Sequence, residues 1–213
     1  MRSQRSWTIA ALLLAVAAVR GQAPESRAAG IYLSDDQAGH PRVVQLHATM
    51  MTDVKQKGMA KSMLTQGFSK MESYGVIAGG AATVRTSTDG VTFLFYFDEP
   101  SSAQPTLNME NAMHMMSGDT MPAKARSAQE FVLLHLTPAN DSRQAQIGTT
   151  GRRGSNASSK DAVSIVVGTV SERVFKVQAK ERLAPGEYAF VWANGSSGTG
   201  IGGQFWDFGV DAP

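Results

Sequence analysis

The chain has 213 residues, with 20 Lys and Arg against 18 Asp and Glu, 21 glycines, 11 methionines and no cysteine. The lack of thiols excludes a disulfide scaffold, a thiol nucleophile, zinc–thiolate sites and iron–sulfur clusters. A formal charge of only +2 does not carry the basic footprint of a nucleic-acid binder.

Arg2 and Arg5 precede an apolar run at 8–19 (TIAALLLAVAAV), and Gly21-Gln22-Ala23 places small residues at the positions a signal peptidase reads. The run is short for a spanning helix, which needs about 20 apolar residues. Residues 1–23 therefore read as a cleaved signal peptide, with a mature chain of 24–213. No cysteine follows to carry a lipid, so the mature chain is expected to have no membrane anchor and to be periplasmic or secreted. Removing Arg2, Arg5 and Arg20 leaves 17 basic side chains against 18 acidic, a formal charge of −1.

Period-two patterning dominates the mature chain. Residues 43–51 (VVQLHATMM) alternate, with Val44, Leu46, Ala48 and Met50 on the apolar face. Residues 57–66 are the first of two short helix candidates. Residues 81–87 (AATVRTS) and 91–97 (VTFLFYF) read as strands around Thr88-Asp89-Gly90, an Asp-Gly hairpin signal. Both faces of 91–97 are apolar, which predicts a central strand.

Residues 100–126 show no strand pattern, and a loop this long is usually functional or disordered. Within it, 108–116 (NMENAMHMM) holds four thioethers and one imidazole. A helix over 107–116 would align Met109, Met113 and Met116 on one face. Such a stripe packs readily on a sheet or a partner, because Met is an adaptable filler. An irregular loop could instead gather soft donors, and soft donors select Cu(I). In an exported chain without cysteine, that role would fall to Met109, Met113, His114 and Met116. Packing or partner contact is the preferred reading and copper the alternative. Met50, Met51, Met59 and Met63 form a second group, read as a partner surface.

Further strands are expected at 131–136, 162–167, 174–180, 188–193 and 205–210, with Gly, Pro, Asn and Ser clusters between them. Arg152-Arg153 sits in a Gly/Ser stretch and reads as a solvated loop. Pro185-Gly186 turns the chain so that Tyr188 enters the next strand with its ring toward the core. Residues 194–203 (NGSSGTGIGG) form a hairpin loop before the closing strand.

The L-x-P-G-E-Y turn at 183–188 and the closing D-F-G-V-D at 207–211 resemble a group of uncharacterised exported bacterial β-sandwich proteins. That resemblance implies a fold and a compartment, with no activity attached. The same tail, through Leu183, Gly186, Tyr188, Trp192, Gly203, Phe208 and Val210, is similar to the end of periplasmic copper-resistance β-sandwiches. Those carry a copper-binding His in the turn, where this chain has Gly and Ser.

The four histidines, His40, His47, His114 and His135, form no H-E-x-x-H or H-x-H pair, and no G-x-S-x-G elbow is present. Asp207-Phe208-Gly209 lacks every other kinase element. The glycines at 198–203 lie between two strands, whereas phosphate binding needs a following helix. The expected fold is a single all-β, Ig-like antiparallel sandwich, with two small β domains as the alternative. The expected function is a non-enzymatic exported binding or interaction module with no cofactor and a protein or cell-envelope partner. A periplasmic copper-binding protein is the alternative.

Overall fold

The computed structural model describes residues 27–37, 40–65, 69–87, 91–98, 122, 125–151, 154–156, 159–193 and 203–212. The signal-peptide reading at 1–23, the stretch 108–116, the Arg152-Arg153 doublet and the loop at 194–202 lie outside them.

The chain is all-β. The first strands are β1 (Gly30–Gln37), β2 (His40–Leu46), β3 (Ala48–Lys57), β4 (Met71–Ala78), β5 (Arg85–Thr86) and β6 (Thr92–Tyr96), with one short helix, α1 (Met59–Leu64), between β3 and β4. There follow β7 (Phe131–Ala139), β8 (Ser142–Gly151), β9 (Gly154–Asn156), β10 (Ala162–Val163), β11 (Ile165–Ser171), β12 (Val174–Ala179), β13 (Gly186–Trp192) and β14 (Gln204–Val210). One layer is a five-stranded antiparallel sheet, ordered β11-β12-β6-β1-β2. The other runs β7-β13-β14-β3-β4-β8, and β8 pairs back onto β7 through Thr137↔Gln144 and Pro138↔Arg143. That pairing closes six strands into a small barrel. Where an Ig-like sandwich stacks two open sheets, this chain packs one open sheet against the wall of a closed barrel.

Alternation along β7, β13 and β14 explains the architecture. Leu134, Leu136, Ala189, Val191 and Phe205 point into the barrel, where they meet Ile77, Ala145 and Ile147. Their neighbours Phe131, Leu133, Tyr188, Phe190, Trp206 and Phe208 point the other way, onto Ile31, Leu33, Leu46, Phe93, Phe95 and Val177 of the open sheet. These three strands are covered on both faces, so they read as nearly continuous apolar runs. Phe93 lies 4.8 Å from Phe190 and 4.7 Å from Phe208 between ring centroids, and Phe95 meets Phe190 edge-on at 5.1 Å. Such offset and edge contacts are the favoured aromatic geometries. Tyr188 is buried as expected, and its hydroxyl donates to the Ala184 carbonyl at 2.8 Å, tying the Pro185-Gly186 turn to the strand.

Gly75 of β4 faces the barrel interior. A Cβ there would stand 2.9 Å from the Phe205 ring and 3.1 Å from Ile147 Cγ2. The missing side chain makes room for the ring, which explains a glycine in the middle of a strand.

Two strand expectations change. Residues 91–97 do form a central strand, because β6 lies between β12 and β1. Residues 81–87 do not pair with it: only Arg85 and Thr86 are extended, and they run parallel to Gly209 and Val210 of β14 in the barrel. The chain changes layer between β5 and β6, and the expected Asp-Gly turn lies outside the described residues. The alternation at 81–87 reflects Val84 and Thr86 packing inward rather than a ladder. The run 43–51 likewise breaks at His47, where β2 ends in the sheet and β3 begins in the barrel. Leu46 is buried and Ala48 packs against the core, but Met50 is 58% exposed.

Candidate functional site

Two constellations stand out, one inside the barrel and one on the hairpin that extends from it. The first is built by alternation. Arg143 shares its face of β8 with Ala145 and Ile147, Glu187 its face of β13 with Ala189 and Val191, and Asp207 its face of β14 with Phe205. All three charged side chains are buried. Arg143 Nη1 donates to Asp207 Oδ2 at 2.7 Å and to Glu187 Oε2 at 3.2 Å, while its Nε and Nη2 reach the Gly79 and Ala78 carbonyls at 2.9 and 3.3 Å. Glu187 also accepts from Arg85 Nη1 and from the Ala82 amide, both at 2.7 Å. Thr49 Oγ1 donates to Asp207 Oδ1 at 2.6 Å. Asp211 and then Glu187 hold the Arg85 guanidinium further above its ordinary pKa. Both oxygens of Glu187 and of Asp207 thus accept hydrogen bonds. The arrangement fits a charged plug at one end of the barrel better than an acid and base pair held open for a substrate.

The second constellation is the β3–α1–β4 hairpin. β14 accompanies β3 only over Ala48–Met50; after a bulge between Met51 and Asp53, β3 continues with β4 on one side alone. Residues 52–57 of this edge are all exposed. Gly58 turns the chain with φ +87, and a Cβ there would meet the Lys70 carbonyl at 2.9 Å. The helix that follows is inside out. Among its described side chains the buried one is Ser62, while Met59, Met63 and Leu64 are 46%, 73% and 86% exposed. A helix on a globular surface normally turns its apolar residues inward.

The charge beyond the base of this hairpin has one sign. Between Asp53 and Glu72 the sequence holds Lys55, Lys57, Lys61 and Lys70 and no acid. Tyr74 organises the base. Its hydroxyl donates to Glu72 Oε2 at 2.6 Å and accepts from Lys160 Nζ at 2.9 Å. Lys57 Nζ sits 4.5 Å and Lys160 Nζ 5.4 Å from the ring centroid, within the range of cation–π attraction. The Tyr74 hydrogen bond, more than the nearby lysines, holds the Glu72 carboxyl below its usual range; the bond to Glu72 raises the Tyr74 hydroxyl, and the bond to Tyr74 raises Lys160. An NMR titration is expected to show Glu72 deprotonating below the ordinary glutamate value and returning toward it in Tyr74→Phe. Because the folded-state pKa is depressed, the Glu72 contribution to stability is present above the unfolded value. It is lost as the pH falls through the folded one.

Among the sequence candidates, Met109, Met113, His114 and Met116 lie outside the described residues. The second methionine group separates. Met59 and Met63 share α1, Met51 is half-buried against the barrel core, and Met50 is exposed at the opposite end of β3. His40 begins β2, His47 marks the break before β3, and the His135 ring lies 5.1 Å from that of Tyr188. Among the described residues, no three His, Cys, Asp or Glu side chains gather as a metal-holding group, and no helix is long and apolar enough to cross a membrane. Sequence reasoning missed Leu64, Tyr74 and Arg143. The run of four lysines without an acid was the available signal for the hairpin.

The chain matches no protein-family model, no curated protein and no solved structure.

Proposed function

We propose that this protein is an exported, non-enzymatic binding module whose contact element is the β3–α1–β4 hairpin. The observation that carries the reading is the inverted helix: it gives Ser62 to the protein and Met59, Met63 and Leu64 to the surroundings. A contiguous exposed apolar patch ringed by polar residues marks an interaction site, and methionine suits contacts that must adapt. The hairpin is anchored in the barrel wall through β4, which pairs with β8 as far as Met71↔Thr150, so the tip is presented on a fixed base. The Ig-like description is kept for the layered half, where the open sheet faces β7, β13 and β14. A photo-crosslinking residue at Met63, compared with one at the exposed Val166 of β11, tests the reading in cells that make the protein. Adducts are expected from position 63 and not from 166. Equal yields from both, or none from 63, would reject the hairpin as the contact element.

A further inference from the structure

We propose that the hairpin binds the surface of an anionic lipid bilayer, with Met59, Met63 and Leu64 entering the headgroup–acyl boundary and the flanking lysines meeting lipid phosphates. The inference rests on the hairpin being the contact element and names its partner. Three observations select a bilayer. The exposed apolar side chains Met59, Met63 and Leu64 all lie on the single short helix that follows β3. Side chains this exposed suit a soft surface that closes around them, whereas a helical partner needs a groove to lie in and a strand partner uses the sheet edge rather than the helix.

The charge is also of one sign between the two carboxylates at the base of the hairpin. Lys55, Lys57, Lys61 and Lys70 lie in an acid-free stretch. The acidic groups at its base are Asp53, which accepts from the Val54 amide, and Glu72, which is held by Tyr74 and lies 3.8 Å from Lys160. Basic side chains beside apolar ones are the composition that anionic interfaces recognise, through burial of apolar area and attraction to lipid charge together.

The third observation removes the simplest competing account. Lysines at 55 and 57 protect an open strand edge from pairing with another chain. Edge protection gives no reason for Leu64 and Met63 to face water on a helix whose buried position is a serine. A bilayer accounts for both halves of the pattern.

The test is vesicle sedimentation with the full protein as purified after secretion. The vesicles are pure phosphatidylcholine or equal parts phosphatidylcholine and phosphatidylglycerol. Binding to the anionic vesicles is expected to be at least roughly tenfold tighter, since each lysine near such a surface contributes about fivefold. Raising the salt from about 0.1 M to about 1 M shortens the screening length from about 10 Å to 3 Å and is expected to weaken it. Lys55→Gln with Lys70→Gln, and separately Met63→Ser with Leu64→Ser, are expected to lose most of the binding. Met50→Ser, also exposed but at the far end of β3, is expected to keep it. All are surface changes, and unchanged circular dichroism verifies the fold. No binding to either vesicle, binding indifferent to lipid charge, or equal loss in Met50→Ser would each overturn the proposal. A protein adduct from position 63 without vesicle binding would keep the hairpin as the contact element and reject the lipid.

Discussion

Arg143→Ala is expected to lower the unfolding free energy by about 3–5 kcal/mol, the range for removing one partner of a buried ion pair. The side chains of Arg143, Glu187 and Asp207 are 3%, 8% and 8% exposed. Without the guanidinium, two carboxylates keep their positions inside the barrel and share only Arg85, Thr49 and the Ala82 amide. The Ala78 and Gly79 carbonyls also lose a donor. Urea unfolding monitored by tryptophan fluorescence would measure the change. Arg143→Lys keeps the charge but not the fork of donors, so it is expected to recover part of the loss. Combining Arg143→Ala with Glu187→Gln and Asp207→Asn should also recover part, because the cost is chiefly of stranded charge. A loss below about 1 kcal/mol for Arg143→Ala, the scale of an exposed pair, would mean the cluster is solvated and the plug is misread.

Phe205→Ala is expected to cost about 3–5 kcal/mol, as for other buried phenylalanines. The ring fills the barrel against Ala145, Ile147, Leu134 and Val191, and the gap that Gly75 leaves is shaped for it. Gly75→Ala alone is expected to cost about 1–3 kcal/mol by overpacking. The double variant Gly75→Ala, Phe205→Leu should lose less than Gly75→Ala and Phe205→Leu measured singly and added, with a coupling of about 0.5–3 kcal/mol. Strict additivity in that cycle would show that the ring and the glycine do not share the space.

The legible part of this fold was the part with ordinary inside-and-outside chemistry. The run VTFLFYF is apolar on both faces and proved to be the middle strand of its sheet. QFWDFGV and GEYAFVW are rich in aromatics because they are the shared wall between two layers. Barrel closure was not legible. It depends on β4 and β8, whose inward positions include Gly75 and Arg143, a residue with no side chain and one with a charge. Neither is what a search for alternating apolar residues finds. The hairpin site was half legible. Met59 and Met63 could be grouped by residue type, but only the fold separates them from Met50 and Met51 and shows that Ser62 is the buried member of the helix. The copper reading of Met109, Met113, His114 and Met116 rests on the sequence as it did at the start.

The order of strands around the barrel has a consequence for how the molecule comes into being. β14 sits between β13 and β3, so the ring that runs β3-β4-β8-β7-β13 stays open until this last strand is in place. The open sheet is completed late on one side, since β6 gains its neighbour β12, and β12 its neighbour β11, from the C-terminal half. A chain emerging gradually from a ribosome or a translocation pore therefore has no early unit that can shut. Contacts this distant in sequence make for slow folding, and the nascent polypeptide stays threadable until its closing strand is free. Late closure of the ring is thus written into the connectivity of the strands.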